Sequence, residues 1–330
     1  MVRVVCLLLS LGLVGCSSPA HPVPAVVHAQ GGLQTVRLWQ DASIFRLVGD
    51  LIASAHVRVM VEMYELGRPD LVQQLGDSVG RGVSVRVITD PTVGVNRGSV
   101  AALDSRGVPE RVYPVDDGRH QIDHVKLLIA DGEAAVGGMN WGKHSDRNHD
   151  YVLETRVTLD VDRLVRIFEQ DWNLAGGRPS PLATIAGDIA QTAPGAEIRS
   201  MLEAALIRAA WRVLAEVYTL TDPEVIAELV QAHRRGAMVR VLLDQHQDYN
   251  QHGYAVLRAG GVEARWYPLP RGVLLHAKIG LFDGQLVLGS ANWTLSGLGV
   301  NHELNIETED PVAVGDYAAR FAADWVRSGG

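Results

Sequence analysis

The chain has 330 residues, of which 47% are hydrophobic, 21% charged and 6% aromatic, a balance that excludes disordered, collagen-like and disulfide-scaffold proteins. Its 30 Lys and Arg stand against 38 Asp and Glu, a net charge of −8. That argues against nucleic acid as a partner, because non-specific binding to it rests on basic side chains that neutralise phosphates.

Arg3 precedes an uncharged, largely apolar run at residues 4–15. The run is too short to span a bilayer and has the length of a signal-peptide core. It ends in Leu13-Val14-Gly15-Cys16, which resembles the lipobox of bacterial lipoproteins. That resemblance implies removal of residues 1–15 and acylation of Cys16, leaving the protein lipid-anchored to a bacterial membrane outside the cytoplasm, in the periplasm or at the cell surface. Residues 16–35, with Pro19, Pro22 and Pro24, read as a flexible tether. The remaining cysteine, Cys6, lies inside the signal segment, so the body must be held by packing.

Beyond the tether the chain repeats itself. VRVMVEMYEL (57–66) matches WRVLAEVYTL (211–220), and RGVSVRVITD (81–90) matches RGAMVRVLLD (235–244), both at an offset of 154. HVKLLIADGEAAVGGMNW (124–141) matches HAKIGLFDGQLVLGSANW (276–293) at 152, and NHDYVLET (148–155) matches NHELNIET (301–308) at 153. A period of this length means two homologous halves, residues 36–182 and 183–330, paired as a pseudo-twofold pseudo-dimer. Apolar residues recur at helical spacing over 43–56 and 197–210. A strand follows in each half, then a helix (70–80; 223–234), a second strand (83–89; 237–243), another helix and another strand. Each half closes with a helix ending near Asp-Trp. The alternation predicts an α/β fold, each half a mostly central β-sheet flanked by helices. The Pro-rich stretch 176–194 reads as the boundary region.

Each half carries His-x-Lys, an Asp five residues after the Lys, a Gly six after the Asp, and an Asn nine after it. The sets are His124, Lys126, Asp131, Gly137 and Asn140, and His276, Lys278, Asp283, Gly289 and Asn292. On a strand, residues two apart share a face, so each His and Lys point the same way. An imidazole, an ammonium and an amide together suit a phosphoryl group: Lys offsets charge, Asn donates, and His attacks or moves a proton. Two such sets brought together supply a nucleophile and an acid–base partner across one phosphate. Two lysines supply the positive charge, so the chemistry calls for no metal and no cofactor.

These paired motifs, with Gly-Gly or Gly-Ser and then Asn, resemble the phospholipase D superfamily in its two-motif single-chain form. The resemblance covers nearly all of residues 36–330. It implies a phosphohistidine intermediate on a phospholipid phosphodiester, with His124 as nucleophile and His276 as acid–base partner. The outcome is hydrolysis to phosphatidate or transfer to an alcohol, as in cardiolipin synthases, with the head group open. One chain suffices for a complete site. Asp131 and Asp283 belong to the catalytic motif, but the resemblance gives them a structural role. Asp150 and Glu303 are the candidates to orient the histidines. GGMNW in the first half resembles the synthases, although their Asn-x-Asp-x-Arg-Ser signature is absent. GSANWT in the second half resembles the nuclease branch, so a metal-independent extracytoplasmic nuclease is the alternative reading.

Other recurrences carry two readings each. Glu62 and Glu216 sit in apolar strands, either on the floor of the cleft beside Lys or His, or bonded to backbone or the partner half. His149 and His302 either line the site or pack behind it. His246 and His252, with Asp244 and Asp248, lack metal-ligand spacing and read as a polar loop. Trp141, Trp293, Trp172 and Trp325 recur and read as core. Residues 266–275 (WYPLPRGVLL) are apolar without a first-half counterpart and suggest a lip for acyl chains.

Overall fold

The computed structural model describes residues 35–178, 187–192 and 196–329. The expected signal peptide, the tether apart from Thr35, and the expected boundary between residues 182 and 183 lie outside these residues.

The first half runs β1 (Val36–Gln40), α1 (Ser43–Ser54), β2 (Arg58–Met63), α2 (Pro69–Gly80), β3 (Ser84–Thr89), α3 (Asn96–Asp104), β4 (Glu110–Val112), β5 (Lys126–Ala130), β6 (Glu133–Gly137), β7 (Tyr151–Thr155) and α4 (Thr158–Ala175). The second runs β8 (Ile189–Thr192), α5 (Glu197–Arg208), β9 (Arg212–Val217), α6 (Pro223–Arg234), β10 (Met238–Asp244), α7 (Asn250–Ala259), β11 (Glu263–Tyr267), β12 (Lys278–Phe282), β13 (Gln285–Gly289), the short α8 (Leu295–Gly299), β14 (Glu303–Thr308) and α9 (Pro311–Arg327). The repeat read in the sequence is therefore a repeat of structure.

Among the described residues each half holds a seven-stranded sheet, ordered β1-β7-β6-β5-β2-β3-β4 in the first and β8-β14-β13-β12-β9-β10-β11 in the second. The β2-β3-β4 and β9-β10-β11 ladders are parallel, and the other pairings are antiparallel. The edge strands β1 and β8 were not read from the sequence; β8 falls inside the stretch taken as the boundary region, where it pairs with β14.

Local chemistry explains the helices. In α1, Ile44, Leu47, Val48, Leu51 and Ile52 form one buried stripe. α6 and α9 share one start: Pro223 and Pro311 occupy the first turn, and the Asp222 and Asp310 carboxylates accept the next two free backbone N–H groups.

Alternation along the strands builds three cores. In β2, Val59, Val61 and Met63 face an outer core under α1 and α2, while Met60 faces the opposite side. A matching outer core lies under α5 and α6. The third core is shared between the halves: Leu127, Ile129, Val136, Leu153 and Phe168 pack in it with Ile279, Leu281, Leu288, Ile306 and Phe321. α4 and α9 contribute to this shared core, so helices cover both faces of the sheets. At about 1.5–3 kcal/mol per large apolar side chain buried, the shared core binds the halves into one body. Trp141 and Trp293 lie in the outer cores and Trp325 in the shared one, with Trp172 packed against it.

Candidate active site

Lys126 opens β5 and pairs in register with Met63, the last residue of β2; Lys278 likewise pairs with Val217, the last of β9. The motif residues therefore gather at the carboxyl ends of the parallel strands, where α/β sheets place their ligand sites. Two buried carboxylates fix the chain just before each histidine. Asp90 Oδ2 accepts the Asp123 backbone N–H at 2.7 Å, and Asp244 Oδ2 accepts that of Leu275 at 2.7 Å. Asp244 thus serves the site through backbone; it is not part of a loose polar loop.

The histidines are wired across the halves. His124 Nδ1 lies 2.9 Å from Glu303 Oε2, and His276 Nδ1 lies 2.8 Å from Asp150 Oδ2. The backbones cross as well: His124 N–H donates to the His302 carbonyl and His276 N–H to the His149 carbonyl, both at 2.8 Å. With Nδ1 bonded to a carboxylate, each ring is held in the tautomer that leaves Nε2 as the reactive nitrogen.

The two carboxylates are held differently. Glu303 also accepts from Ser290 Oγ at 2.6 Å and Asn301 Nδ2 at 3.0 Å. Burial alone would raise it, but His124, Lys126 and Ser290 keep it below the ordinary carboxylate value. Asp150 Oδ1 accepts the Tyr151 backbone N–H at 2.8 Å. It packs against Gly138, where a Cβ would strike its carboxylate. The Gly-Gly and Gly-Ser pairs therefore make room for β7, β14 and the orienting acids.

The Lys126 ammonium donates to the His124 carbonyl at 2.6 Å and stands 4.8 Å above the Tyr64 ring. Lys278 donates to the His276 carbonyl and stands 5.1 Å above the Tyr218 ring. The tyrosines also pack on His124 and His276, at 4.8 and 5.0 Å between centroids. Asn140 and Asn292 are half-buried, and among the described residues neither side-chain oxygen meets a donor.

Burial shifts the whole set. It pushes Lys126 down to about 7, with Lys278 adding repulsion against the pull of Glu303 and Asp150. Lys278 is pushed down to about 8 by burial, against Asp150 and Glu303. His276 falls to about 4 through burial and the two lysines, against Asp150, and His124 is lowered through burial and the two lysines, against Glu303. That each histidine feels the other half's lysine shows that both sets share one electrostatic environment. An anion entering it would draw protons back onto these groups.

A family profile described as cardiolipin synthase, PLD-like domain matches residues 48–172 and again 202–325. The chain belongs to this phospholipase D-like family. Over 114 residues, 34% of the chain, it is 31% identical to a mitochondrial cardiolipin hydrolase of Danio rerio, covering 50% of that protein. Over 234 residues, 62% of the chain, it is 27% identical to a probable cardiolipin synthase of Bacillus subtilis, covering 46% of that protein. The chain thus spans about half the length of the curated relatives it matches. In fold it is similar to a phosphatidylserine synthase from Haemophilus influenzae Rd KW20, with a TM-score of 0.67 at 11% identity, over 87% of this chain and 86% of that one.

Within these phospholipase D-like halves, the motif aspartates stand apart from the histidines. Asp131 and Asp283, grouped by motif with the catalytic set, sit five residues beyond each lysine, about 16 Å along an extended strand. Both adopt a left-handed backbone, with φ of 52° and 54°. The Asp131 carboxylate accepts the N–H groups of His56, Val57 and Arg58, and that of Asp283 those of Ala210, Trp211 and Arg212. They fasten the turn after β5 or β12 to the start of β2 or β9, so they do not belong in the catalytic list.

Glu62 and Glu216 are not on the cleft floor either. Both are fully buried and face the opposite half. Glu216 Oε2 lies 3.0 Å from His149 Nε2, and Glu62 Oε1 lies 3.3 Å from His302 Nε2. His149 Nδ1 also meets Asp41 at 2.7 Å, and Arg320 reaches Asp41 and Asp324. His302 Nε2 also meets Asp171 Oδ2 at 3.1 Å. These carboxylates anchor the very histidines whose backbone carbonyls hold His124 and His276. Nothing in the sequence reading gave Tyr64 and Tyr218 a place at the site, or singled out Asp90, Asn96 and Asn250. Asn96 and Asn250 cap the Leu66 and Leu220 N–H groups and bind the Tyr64 and Tyr218 carbonyls. Their signal was available: each recurs at the offset of 154.

Proposed function

We propose that the chain is a phospholipase D-type phosphodiesterase that acts on phospholipids through a phosphohistidine. The observation that carries this reading is the pair of histidine–carboxylate dyads closed across the halves, each beside a buried lysine. His124 Nε2 attacks phosphorus, and the bond from phosphorus to the head-group oxygen breaks. Glu303 stabilises the imidazolium that forms on His124. His276 gives its Nε2 proton to the leaving alcohol; the phosphodiester anion beside it raises its pKa, so the proton arrives with substrate. His276, now neutral, takes a proton from water or an acceptor alcohol, whose oxygen displaces His124 from phosphorus. Water yields phosphatidate, and an alcohol yields a new phosphatidyl ester. Lys126, Lys278, Asn140 and Asn292 bind the non-bridging oxygens as charge builds on them.

The relatives described as cardiolipin hydrolase and synthase support a phospholipid substrate. The lipobox at Cys16 supports extracytoplasmic anchoring of one self-sufficient chain to the membrane that holds its substrate. The apolar residues before His276, with Leu269, Val273 and Leu274 half-buried, would receive acyl chains. Among the described residues no helix is long and apolar enough to cross a membrane.

The test incubates the full chain and its His124→Ala and His276→Ala variants, in EDTA, with phosphatidylcholine/phosphatidylglycerol vesicles and separately with single-stranded oligonucleotide. Head-group release lost in both variants supports the reading, and cardiolipin among the products identifies transfer. Oligonucleotide cleavage with inert vesicles overturns it in favour of a nuclease.

A further inference from the structure

The two buried clusters behind the dyads occupy equivalent places in the repeat, yet among the described residues only one contains an arginine or lysine besides its histidine. In the second-half cluster, His149 meets Asp41, Glu216 and Asp324, at 2.7, 3.0 and 3.4 Å, and the Arg320 guanidinium binds Asp324 at 2.6 Å and Asp41 at 3.2 Å. Three carboxylates thus face two cationic side chains.

In the first-half cluster, His302 meets Asp171 at 3.1 Å and Glu62 at 3.3 Å, with Asp123 beside them. The repeat places Ile167 where the other half has Arg320, and Asp123 where it has Leu275. So here a carboxylate is added and the arginine is replaced by an aliphatic chain. Glu62, Asp171 and His302 are each fully enclosed, as is Asp123. Among the described residues Glu62 Oε2 and Asp123 Oδ2 meet no hydrogen-bond donor, and Glu62 Oε1 has only the ion-pair approach to His302. Three enclosed carboxylates around one imidazole are costly unless they hold protons or a positive charge stands among them.

We propose that Glu62, Asp123 and His302, with Asp171 beside them, bind a divalent first-row transition ion such as Zn2+ at the interface of the two halves. Donor atoms of Glu62, Asp123 and His302 all lie within 4.8 Å of one another. Ligands about 2.0–2.2 Å from a tetrahedral Zn2+ stand roughly 3.3–3.6 Å apart, close to the separations around His302 Nε2. His302 Nδ1 faces the Thr192 carbonyl at 3.2 Å, the outer hydrogen bond that fixes a metal-ligating imidazole. Tyr113 stacks on the ring at 4.5 Å between centroids and an angle of 7°. Imidazole with carboxylates suits Zn2+ or Mn2+, and a closed site with no exposed ligand is structural. The ion enters as the halves close on each other. This site stands apart from the phosphodiester chemistry, which routes nothing through it.

The experiment uses the full chain, purified without a metal-affinity step, together with Asp123→Leu and Glu62→Gln. Leu is the residue the other half carries at this place, and Gln keeps the shape of Glu. Metal content is measured by mass spectrometry on each protein as purified. It is measured again after refolding from guanidinium with Zn2+, with Mn2+ or with EDTA. The expected result is about one ion per wild-type chain, and below roughly a tenth in both variants. Wild type refolded with the ion melts about 4 °C or more above the EDTA-refolded protein, and neither variant responds. Failure of wild type to take up either ion on refolding overturns the proposal, and so does equal metal content in wild type and Asp123→Leu. Neither readout depends on phosphodiesterase activity.

Discussion

Changing Asp150 to Asn in the first half is predicted to disable the histidine of the second. The carboxylate accepts the His276 Nδ1 proton at 2.8 Å and, among the described residues, has its own neighbour's N–H as the other hydrogen-bond partner. An Asn amide turned toward Nδ1 reverses that bond. It moves the ring proton to Nε2 and spoils the tautomer that must exchange a proton with the leaving group. The hydrogen bond alone is worth about 1.5–3 kcal/mol when one partner is charged. Adding the tautomer change gives a loss approaching 10^4 in kcat, as for the equivalent change in hydrolase triads, or about 5 kcal/mol of barrier. The assay compares a natural phospholipid with a nitrophenyl phosphodiester, whose leaving group needs no proton. Asp150→Asn should lose about 10^3–10^4 on the phospholipid and far less in the first-turnover nitrophenol burst, because only release from His124 then needs His276. Glu303→Gln, which removes the support of the attacking His124, should lose heavily on both. Both variants staying within about tenfold of wild type on both substrates would refute cross-half orientation.

Other consequences follow from the same geometry. Gly138→Ala drives a methyl group into the Asp150 carboxylate and should cut kcat by about 100-fold while leaving the far-UV circular dichroism unchanged. Asp131→Ala releases the three N–H groups at the start of β2 and should cost about 1–3 kcal/mol in denaturant unfolding with kcat preserved. Burial pushes Lys126 down to about 7 and Lys278 to about 8, so the free site loses positive charge as pH rises through this window. kcat/KM should therefore be greatest below pH 7 and fall through pH 7–8. Lys126→Arg should move that limb upward, because guanidinium keeps its proton. Cys16→Ser should shift the protein from the membrane to the soluble fraction of a bacterial host, and unchanged fractionation would refute acylation at Cys16.

Most of the architecture was legible because the chain says everything twice. A lone His-x-Lys carries little information, but its recurrence with Asp, Gly and Asn at matched spacing fixed two half-sites. Strand periodicity put His and Lys on one face. The crossing of the dyads was not legible. His124 and Glu303 are 179 residues apart, and local spacing permits each acid to serve its own half. At Asp131 and Asp283 the motif alone grouped two structural residues with the catalytic set, whereas the resemblance already implied their structural role. A motif groups residues by sequence, whereas five residues of extended strand carry these two away from the phosphate site. The short edge strands β1 and β8, VRLWQ and IAQT, show no clear alternation and are made strands by pairing with β7 and β14. Glu62 and Glu216 were recognised as unusual in apolar strands, but their histidine partners come from the opposite half and only the folded chain brings them together.

The central claim is that one site, assembled from both halves, forms a covalent bond to phosphorus at a histidine. The most direct measurement traps it. The full-length His276→Ala variant, which keeps the attacking residue but cannot activate the second alcohol, is mixed with the nitrophenyl phosphodiester, quenched in alkali and digested for mass spectrometry. A phospho-adduct is expected on the peptide containing His124, absent from His124→Ala. Turnover with no histidine adduct in any quenched sample would contradict the covalent route, and an adduct on His276 in wild type would reverse the two roles.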